Sequence, residues 1–166
     1  MMTYDVLVAG GGPAGLSAAC AAARAGARVA LFEKSREFGY PIHTSGGSWV
    51  TPLRALGIPE RFMHFITEGE FIAPAERALF CYQEPPSCVL DVRGLYQFLA
   101  EHAAAAGAAL FVHTPVVAAH YEKGRIAGLV VRRLAGREVV IARLVIDATG
   151  AAAVVARGAG LSPGFR

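Results

Sequence analysis

Three glycines in the run Gly10-x-Gly12-x-x-Gly15 are spaced so that a backbone can wrap closely around an anionic group. Gly10 permits the tight bend, Gly12 lets the backbone approach a pyrophosphate, and Gly15 lets a helix pack close to the strand before it. Spacing alone is a weak signal in a chain with 19 glycines; its setting carries more. The apolar run Asp5-Val6-Leu7-Val8-Ala9 reads as a strand buried on both faces. Pro13 then opens an alanine-rich helix, where its missing N–H has no intrahelical partner to lose. The first-turn N–H groups and the positive end of the helix dipole face any bound phosphate, so Pro13 and Ala14 join the three glycines as candidate binding residues. Glu33 stands 18 positions past Gly15, at the end of the next apolar run, Val29-Ala30-Leu31-Phe32. A carboxylate there can accept hydrogen bonds from both hydroxyls of a ribose, and the chemistry these residues suit is the binding of a dinucleotide.

The positioning elements follow from the same pattern. Gly26 closes the first helix, and Val29 to Phe32 completes a strand–helix–strand unit. Residues 35 to 89 are less regular: a Gly/Ser-rich loop from Gly39 to Ser48, a helix from Thr51 to Leu56, and a turn at Gly57-Ile58-Pro59. This stretch reads as an insertion without a core of its own. Val92 to Ala106 returns to helical periodicity, with Leu95, Phe98, Leu99, His102 and Ala103 on one face, and Gly107 ends it. Ala109 to Val112 is a further core strand. Three strands, Val116 to Tyr121, Ile126 to Arg132 and Glu138 to Ala142, form an antiparallel meander. A separate buried strand, Leu144 to Asp147, then ends in Ala148-Thr149-Gly150 before a short helix from Ala152.

A length of 166 residues fits one domain, and 54% hydrophobic with 17% charged residues excludes a disordered chain. The net charge of +3, with no basic run longer than Arg132-Arg133, points away from nucleic acid. The longest apolar stretches reach about half of the ~20 residues that a membrane-spanning helix needs. Met1 to Asp5 carries no basic flank of the kind that opens a signal peptide. A cytoplasmic protein is expected. Cys20, Cys81 and Cys88 match neither a disulfide framework nor a zinc pattern; reduced thiols are expected, with a Cys81–Cys88 bridge across a turn as the alternative. The five scattered histidines give no ligand spacing, so no metal site is expected.

The second and third core strands are far apart in sequence, Phe32 and Leu110 being 78 positions apart. That long insertion, the meander, and the closing Asp147-Ala148-Thr149-Gly150 resemble the FAD-binding half of the glutathione-reductase-like flavoproteins. Within them, the chain is most similar to the geranylgeranyl reductase and aromatic-ring monooxygenase group. The residues that carry the likeness are Gly10-Gly11-Gly12-Pro13-Ala14-Gly15, Glu33-Lys34, Asp91-Val92-Arg93-Gly94-Leu95 and Val145-Ile146-Asp147-Ala148-Thr149-Gly150. The resemblance implies an α/β fold: a Rossmann-like three-layer FAD/NAD(P)-binding domain with a parallel sheet and an antiparallel β-meander crossover, spanning residues 1–166.

The resemblance further implies FAD as cofactor and NAD(P)H as electron donor in a complete enzyme. The Gly10 to Gly15 loop would hold the FAD pyrophosphate, and Glu33, with Lys34 beside it, the adenosine ribose. Arg93 would approach the pyrophosphate and ribityl chain; a cation opposes the helix dipole at that position, and a bound anion would account for it. Ser45 and Gly46, in His43-Thr44-Ser45-Gly46-Gly47, would approach the flavin ring, although the Cys often found there in geranylgeranyl reductases is absent. Asp147 and Gly150 would bring a strand end to the cofactor. The implied substrate is small and hydrophobic, an isoprenoid to be reduced, with aromatic-ring hydroxylation or a non-catalytic nucleotide-binding module as alternatives. A lipid substrate would add membrane association to the cytoplasmic location. Full members of the group continue for some 200 residues or more, through a substrate-binding sheet and a second FAD motif. No catalytic residue is therefore assigned, and the expected partners are FAD, a missing second half, or further copies of the chain in a homo-oligomer.

Overall fold

The computed structural model describes residues 3–161. In chain order its elements are β1 (Thr3–Ala9), α1 (Pro13–Arg24), β2 (Val29–Phe32), β3 (Gly47–Trp49), α2 (Val50–Ala55), a 3-10 turn (Glu60–Phe62), β4 (Met63–Phe65), β5 (Glu68–Ile72), β6 (Arg77–Cys81) and β7 (Ser87–Leu90). There follow α3 (Val92–Ala105), β8 (Ala109–Phe111), β9 (Val116–Glu122), β10 (Arg125–Arg133), β11 (Gly136–Asp147), a second 3-10 turn (Gly150–Ala152) and α4 (Val154–Gly158). They divide into two compact units, residues 1–41 with 96–166, and residues 42–95.

The first unit is built on a six-stranded sheet in the order β8-β2-β1-β11-β10-β9. β8, β2, β1 and β11 run parallel, while β10 and β9 are antiparallel to their neighbours. Alternation along a strand sends successive side chains to opposite faces, and both faces of this sheet are covered. Val6, Val8, Val29 and Leu31 pack with Leu16, Ala19 and Ala23 of α1 and Ala100 and Ala103 of α3. Leu7, Ala9, Ala30 and Phe32 pack instead with Leu129, Val131, Val140 and Ala142 of the meander and Val155 of α4. This double burial explains why β1 and β2 are continuous apolar runs, and it forms the three layers. On α1 the buried positions Leu16, Ala19 and Ala23 share one face, and Gly26, at φ +84°, turns the chain out of the helix.

One sequence expectation changes here. The runs Glu138 to Ala142 and Leu144 to Asp147 are a single strand, β11, of 12 residues. Its first half pairs antiparallel with β10 and its second half parallel with β1, so one strand joins the meander to the parallel sheet. Arg143 is exposed and interrupts the apolar pattern without interrupting the backbone ladder.

At the other end of β1, Arg28 closes on Asp5: the carboxylate accepts from the guanidinium at 3.0 and 3.1 Å and from the Arg28 N–H at 3.0 Å. The Asp5–Arg28 hydrogen bonds lower the carboxyl from its ordinary 3.8 to about 2. A depressed carboxyl contributes stability that is present above its unfolded value and lost as the pH falls through the folded one. Asp5→Asn should therefore lower stability modestly at neutral pH, as expected for an exposed ion pair, and flatten the loss between pH 4 and pH 2, where the two proteins converge. Urea unfolding midpoints measured across that range check this; parallel curves for the two proteins would reject it.

The second unit does have a core of its own, contrary to the expectation from sequence. Val50, Leu53, Met63 and Cys88 form a small buried cluster with Ile58 and Leu90 against it. β3 and β4 pair on either side of β7. β5 and β6 make a separate hairpin on which Phe71, Ile72 and Leu79 are about two-thirds exposed. The strands are only 3 to 5 residues long, too short for clear alternation, which is why the sequence pattern conceals them. All three cysteines are free: Cys88 is buried in the cluster, which raises its thiol pKa, and Cys81 is exposed. No helix among the described residues is long and apolar enough to cross a membrane.

Candidate functional site

The register of the parallel strands aligns Asp147, Ala9, Phe32 and Phe111 across β11, β1, β2 and β8. The residues that follow each strand therefore share one rim, at the carboxyl ends where ligands of open α/β sheets bind. Backbone bonds lock that rim: Gly10 N–H donates to Phe32 at 2.8 Å, Ala148 N–H to Ala9 at 2.8 Å, and Glu33 N–H to Phe111 at 2.8 Å.

The three motif glycines have distinct reasons to be glycine. Gly10 adopts φ +103°, and a Cβ there would strike the Ala148 carbonyl oxygen. A Cβ on Gly15 would strike the Gly10 carbonyl oxygen and lie 3.2 Å from the Ala148 Cβ. Gly12 is different: nothing lies within 4 Å of its absent side chain. This is the open flank a ligand could approach. Gly11, which falls between motif positions, is also crowded, though by a side chain: a Cβ there would lie 2.6 Å from the Phe38 ring.

Gly12 is the N-cap of α1 and contributes no side-chain bond, Pro13 begins the helix, and no acidic residue occupies the first turn. Ala14 and Gly15 precede the first intrahelical bond, from Leu16 N–H to the Gly12 carbonyl at 2.9 Å. The turn thus combines helix-terminal donors, the positive end of the dipole and an open flank, with no acidic residue in the first helical turn. These features fit the pyrophosphate of a dinucleotide.

Glu33 is half-buried at the end of β2, and its two carboxylate oxygens are held from opposite sides. Oε2 accepts from Gly11 N–H at 2.7 Å and Oε1 from Ser35 N–H at 2.8 Å. A carboxylate has about four acceptor positions, so each oxygen keeps one for a ribose hydroxyl. Gly11 and Ser35 have no signature in the sequence beyond their nearness to Gly10 and Glu33, and only the structure reveals them as the partners of the acid. Lys34 is exposed.

Asp147 and Gly150 lie on the same rim. Asp147 is half-buried and bonded to the segment that follows it, and Gly150, at φ +66°, begins the 3-10 turn. Gly10, Gly12, Pro13, Ala14, Gly15, Glu33, Asp147 and Gly150 are thus brought together in the first unit.

Ser45, Gly46 and Arg93 belong to the second unit. Gly46 is buried at φ +74°, its carbonyl accepts from Leu90 N–H at 2.9 Å, and a Cβ would lie 2.9 Å from the Leu90 carbonyl oxygen. Its need for glycine is met by packing on β7. Ser45 is exposed, and its hydroxyl accepts from Gly47 N–H at 3.4 Å. Arg93 is exposed in the first turn of α3.

The comparisons with known proteins agree with this geometry. The sequence profile of the family described as FAD dependent oxidoreductase matches residues 5–162. Digeranylgeranylglycerophospholipid reductase 2 of Methanothermobacter thermautotrophicus is 34% identical over 170 residues, which covers 99% of this chain and 44% of that protein. A geranylgeranyl bacteriochlorophyll reductase-like protein from Thermoplasma acidophilum superposes with a TM-score of 0.85 at 32% identity, over 98% of this chain and 43% of its own. The anhydrotetracycline hydroxylase of Streptomyces rimosus, at 22% identity and a TM-score of 0.70, covers 96% of this chain and 34% of its own, and shares the fold. The chain thus spans less than half the length of these relatives. With a profile matching nearly its whole length, the chain belongs to the FAD dependent oxidoreductase family.

Proposed function

We propose that this chain is the FAD-binding part of a flavin-dependent reductase that acts on a hydrophobic, isoprenoid-bearing substrate, with NAD(P)H as the source of electrons. The observation that carries the reading is the pairing of the open Gly12 flank with the Glu33 carboxylate, held by Gly11 and Ser35 on one rim. In it, the Gly10–Gly15 turn and α1 hold the pyrophosphate, Glu33 the adenosine ribose with Lys34 at its margin, and Gly150 lines the strand end. Bound FAD supplies the two-electron chemistry; the chain's own residues bind and orient it. No residue is assigned a catalytic role.

The preference for an isoprenoid rests on the reductase relatives at 34% and 32% identity, and the hydroxylase at 22% supports aromatic hydroxylation less. A reductase of a membrane lipid would work from the cytoplasm at the bilayer surface. In this reading, segments equivalent to the remainder of the longer relatives provide the substrate walls.

Titration of FAD and of NAD into the protein, followed by flavin fluorescence and calorimetry, tests the binding half. Saturable uptake of FAD, with NAD much weaker, is expected; the reverse order would overturn it. NADPH-dependent saturation of a geranylgeranyl lipid, followed by mass spectrometry in protein extended to the relatives' length, tests the substrate. Hydroxylation of a phenol in its place would favour the alternative.

The exposed Phe71, Ile72 and Leu79 on a two-stranded hairpin leave an apolar surface in the second unit, and such surfaces favour association. The 166-residue chain is expected to run as a dimer or larger species in size exclusion with light scattering, and a monodisperse monomer would contradict this.

A further inference from the structure

The loop after β11 forms the back wall of the phosphate turn. Its Ala148 carbonyl oxygen lies too close to the Cβ position of Gly10 to admit a side chain, Thr149 Cα lies 3.2 Å from that position, and the Ala148 Cβ lies 3.2 Å from the Cβ position of Gly15. Whatever holds this loop therefore holds the turn. The Asp147 carboxylate is bonded at every acceptor position. Oδ1 accepts from the Thr149 N–H at 3.0 Å and from the Thr149 hydroxyl at 2.6 Å. Oδ2 accepts from Val155 N–H at 2.9 Å and from Ala156 N–H at 2.8 Å. The Thr149 hydroxyl oxygen in turn accepts from Val154 N–H at 2.8 Å.

An ionised carboxylate offers about four lone-pair sites, and these bonds use them all. We propose that Asp147 is a positioning residue and not a cofactor ligand: its carboxylate clamps the Ala148–Gly150 loop to α4 and so fixes the wall against which Gly10 and Gly15 close. This rests on the reading that the turn holds the FAD pyrophosphate.

Two further observations support it. α4 has only 5 residues, and its N-cap, Ala153, is left-handed at φ +42° and has no side chain able to accept from the helix. A helix so short does not persist alone, and Asp147 and Thr149 supply the acceptors its first amides need. Its other end is tied by the Tyr121 hydroxyl, which donates to the Gly158 carbonyl at 3.1 Å, and Val155 is buried beneath it. Burial by itself would raise the Asp147 carboxyl, yet the bonds from the Thr149 side chain and from the Ala156, Thr149 and Val155 amides hold it below the ordinary value. It is thus ionised, and acceptor-only, at neutral pH.

Asp147→Asn keeps the shape but replaces one oxygen with an NH2 group that faces amide donors. In the FAD-free variant, amide exchange at Gly10, Gly11, Val155 and Ala156 should accelerate about tenfold or more, with Leu31 of β2 unchanged, and the FAD Kd should rise by a similar factor. Weaker FAD binding with normal exchange at Gly10 and Gly11 would make Asp147 a direct ligand and overturn the proposal. Equal acceleration at Leu31 would reduce its role to general stability and also overturn it. Thr149→Val, which loses the 2.6 Å bond, should show the same pattern more weakly and serves if the asparagine variant does not fold. If the parent protein takes up no FAD, the pyrophosphate reading fails separately, and the exchange pattern still decides whether the clamp exists.

Discussion

Alanine at Gly10 or Gly15 is expected to abolish measurable FAD uptake and to lower stability by about 2 to 5 kcal/mol, the largest effects of any single substitution in the phosphate turn. At Gly10 two costs combine. A left-handed φ of +103° is strained for any residue with a Cβ, and that Cβ would meet the Ala148 carbonyl, which the backbone bond from Ala148 N–H to Ala9 and the Asp147 clamp keep from moving. At Gly15 the cost is steric alone, because the obstacle is the Gly10 carbonyl oxygen and neither backbone can retreat without opening the strand-to-helix turn. Gly12→Ala is the informative contrast. Its Cβ would enter open space, so stability should change little while FAD binding weakens. Thermal unfolding with and without FAD separates the three variants. If Gly12→Ala proved as destabilising as Gly10→Ala, the open flank would not be the ligand side.

Glu33→Ala should weaken FAD binding by about tenfold to a hundredfold, from charge-assisted bonds worth roughly 1.5 to 3 kcal/mol. The structure adds a second route to this loss, because Glu33 also accepts from Gly11 N–H at 2.7 Å inside the glycine turn. Removing the carboxylate therefore loosens the phosphate turn as well as the ribose contact. Glu33→Gln is expected to be nearly as harmful as alanine. An amide has only one oxygen, and its NH2 group would have to face the N–H of either Gly11 or Ser35. Calorimetric titration with FAD and with riboflavin resolves the matter: affinity for FAD should fall, and affinity for riboflavin, which lacks the adenosine half, should not. Unchanged FAD affinity in both variants would show that the ribose is bound elsewhere.

The features readable from the sequence are those whose physics is local. A strand buried on both faces is an apolar run, a helix that begins at a phosphate turn begins with Gly and Pro, and an acid at the next strand end is one short crossover away. Gly10, Gly12, Gly15 and Glu33 were therefore visible as a group, and so was the meander, through its turns at Lys123-Gly124 and Ala135-Gly136. What only the tertiary structure decided depends on groups whose contacts are not periodic. Spacing predicts that Glu33 can reach a ribose, but not that Gly11 and Ser35 hold its two oxygens. The continuity of β11 through Arg143 follows from ladder bonds that hydropathy does not record. The cluster of Val50, Leu53, Met63 and Cys88 escapes detection because its residues come from short segments spread over some 40 positions. Asp147 is the clearest case. The family resemblance implied that it contacts the cofactor, whereas its carboxylate is satisfied by Thr149, Val155 and Ala156. A side chain's type and position specify which bonds it can make; the backbone that folds back to meet it determines which of them it makes.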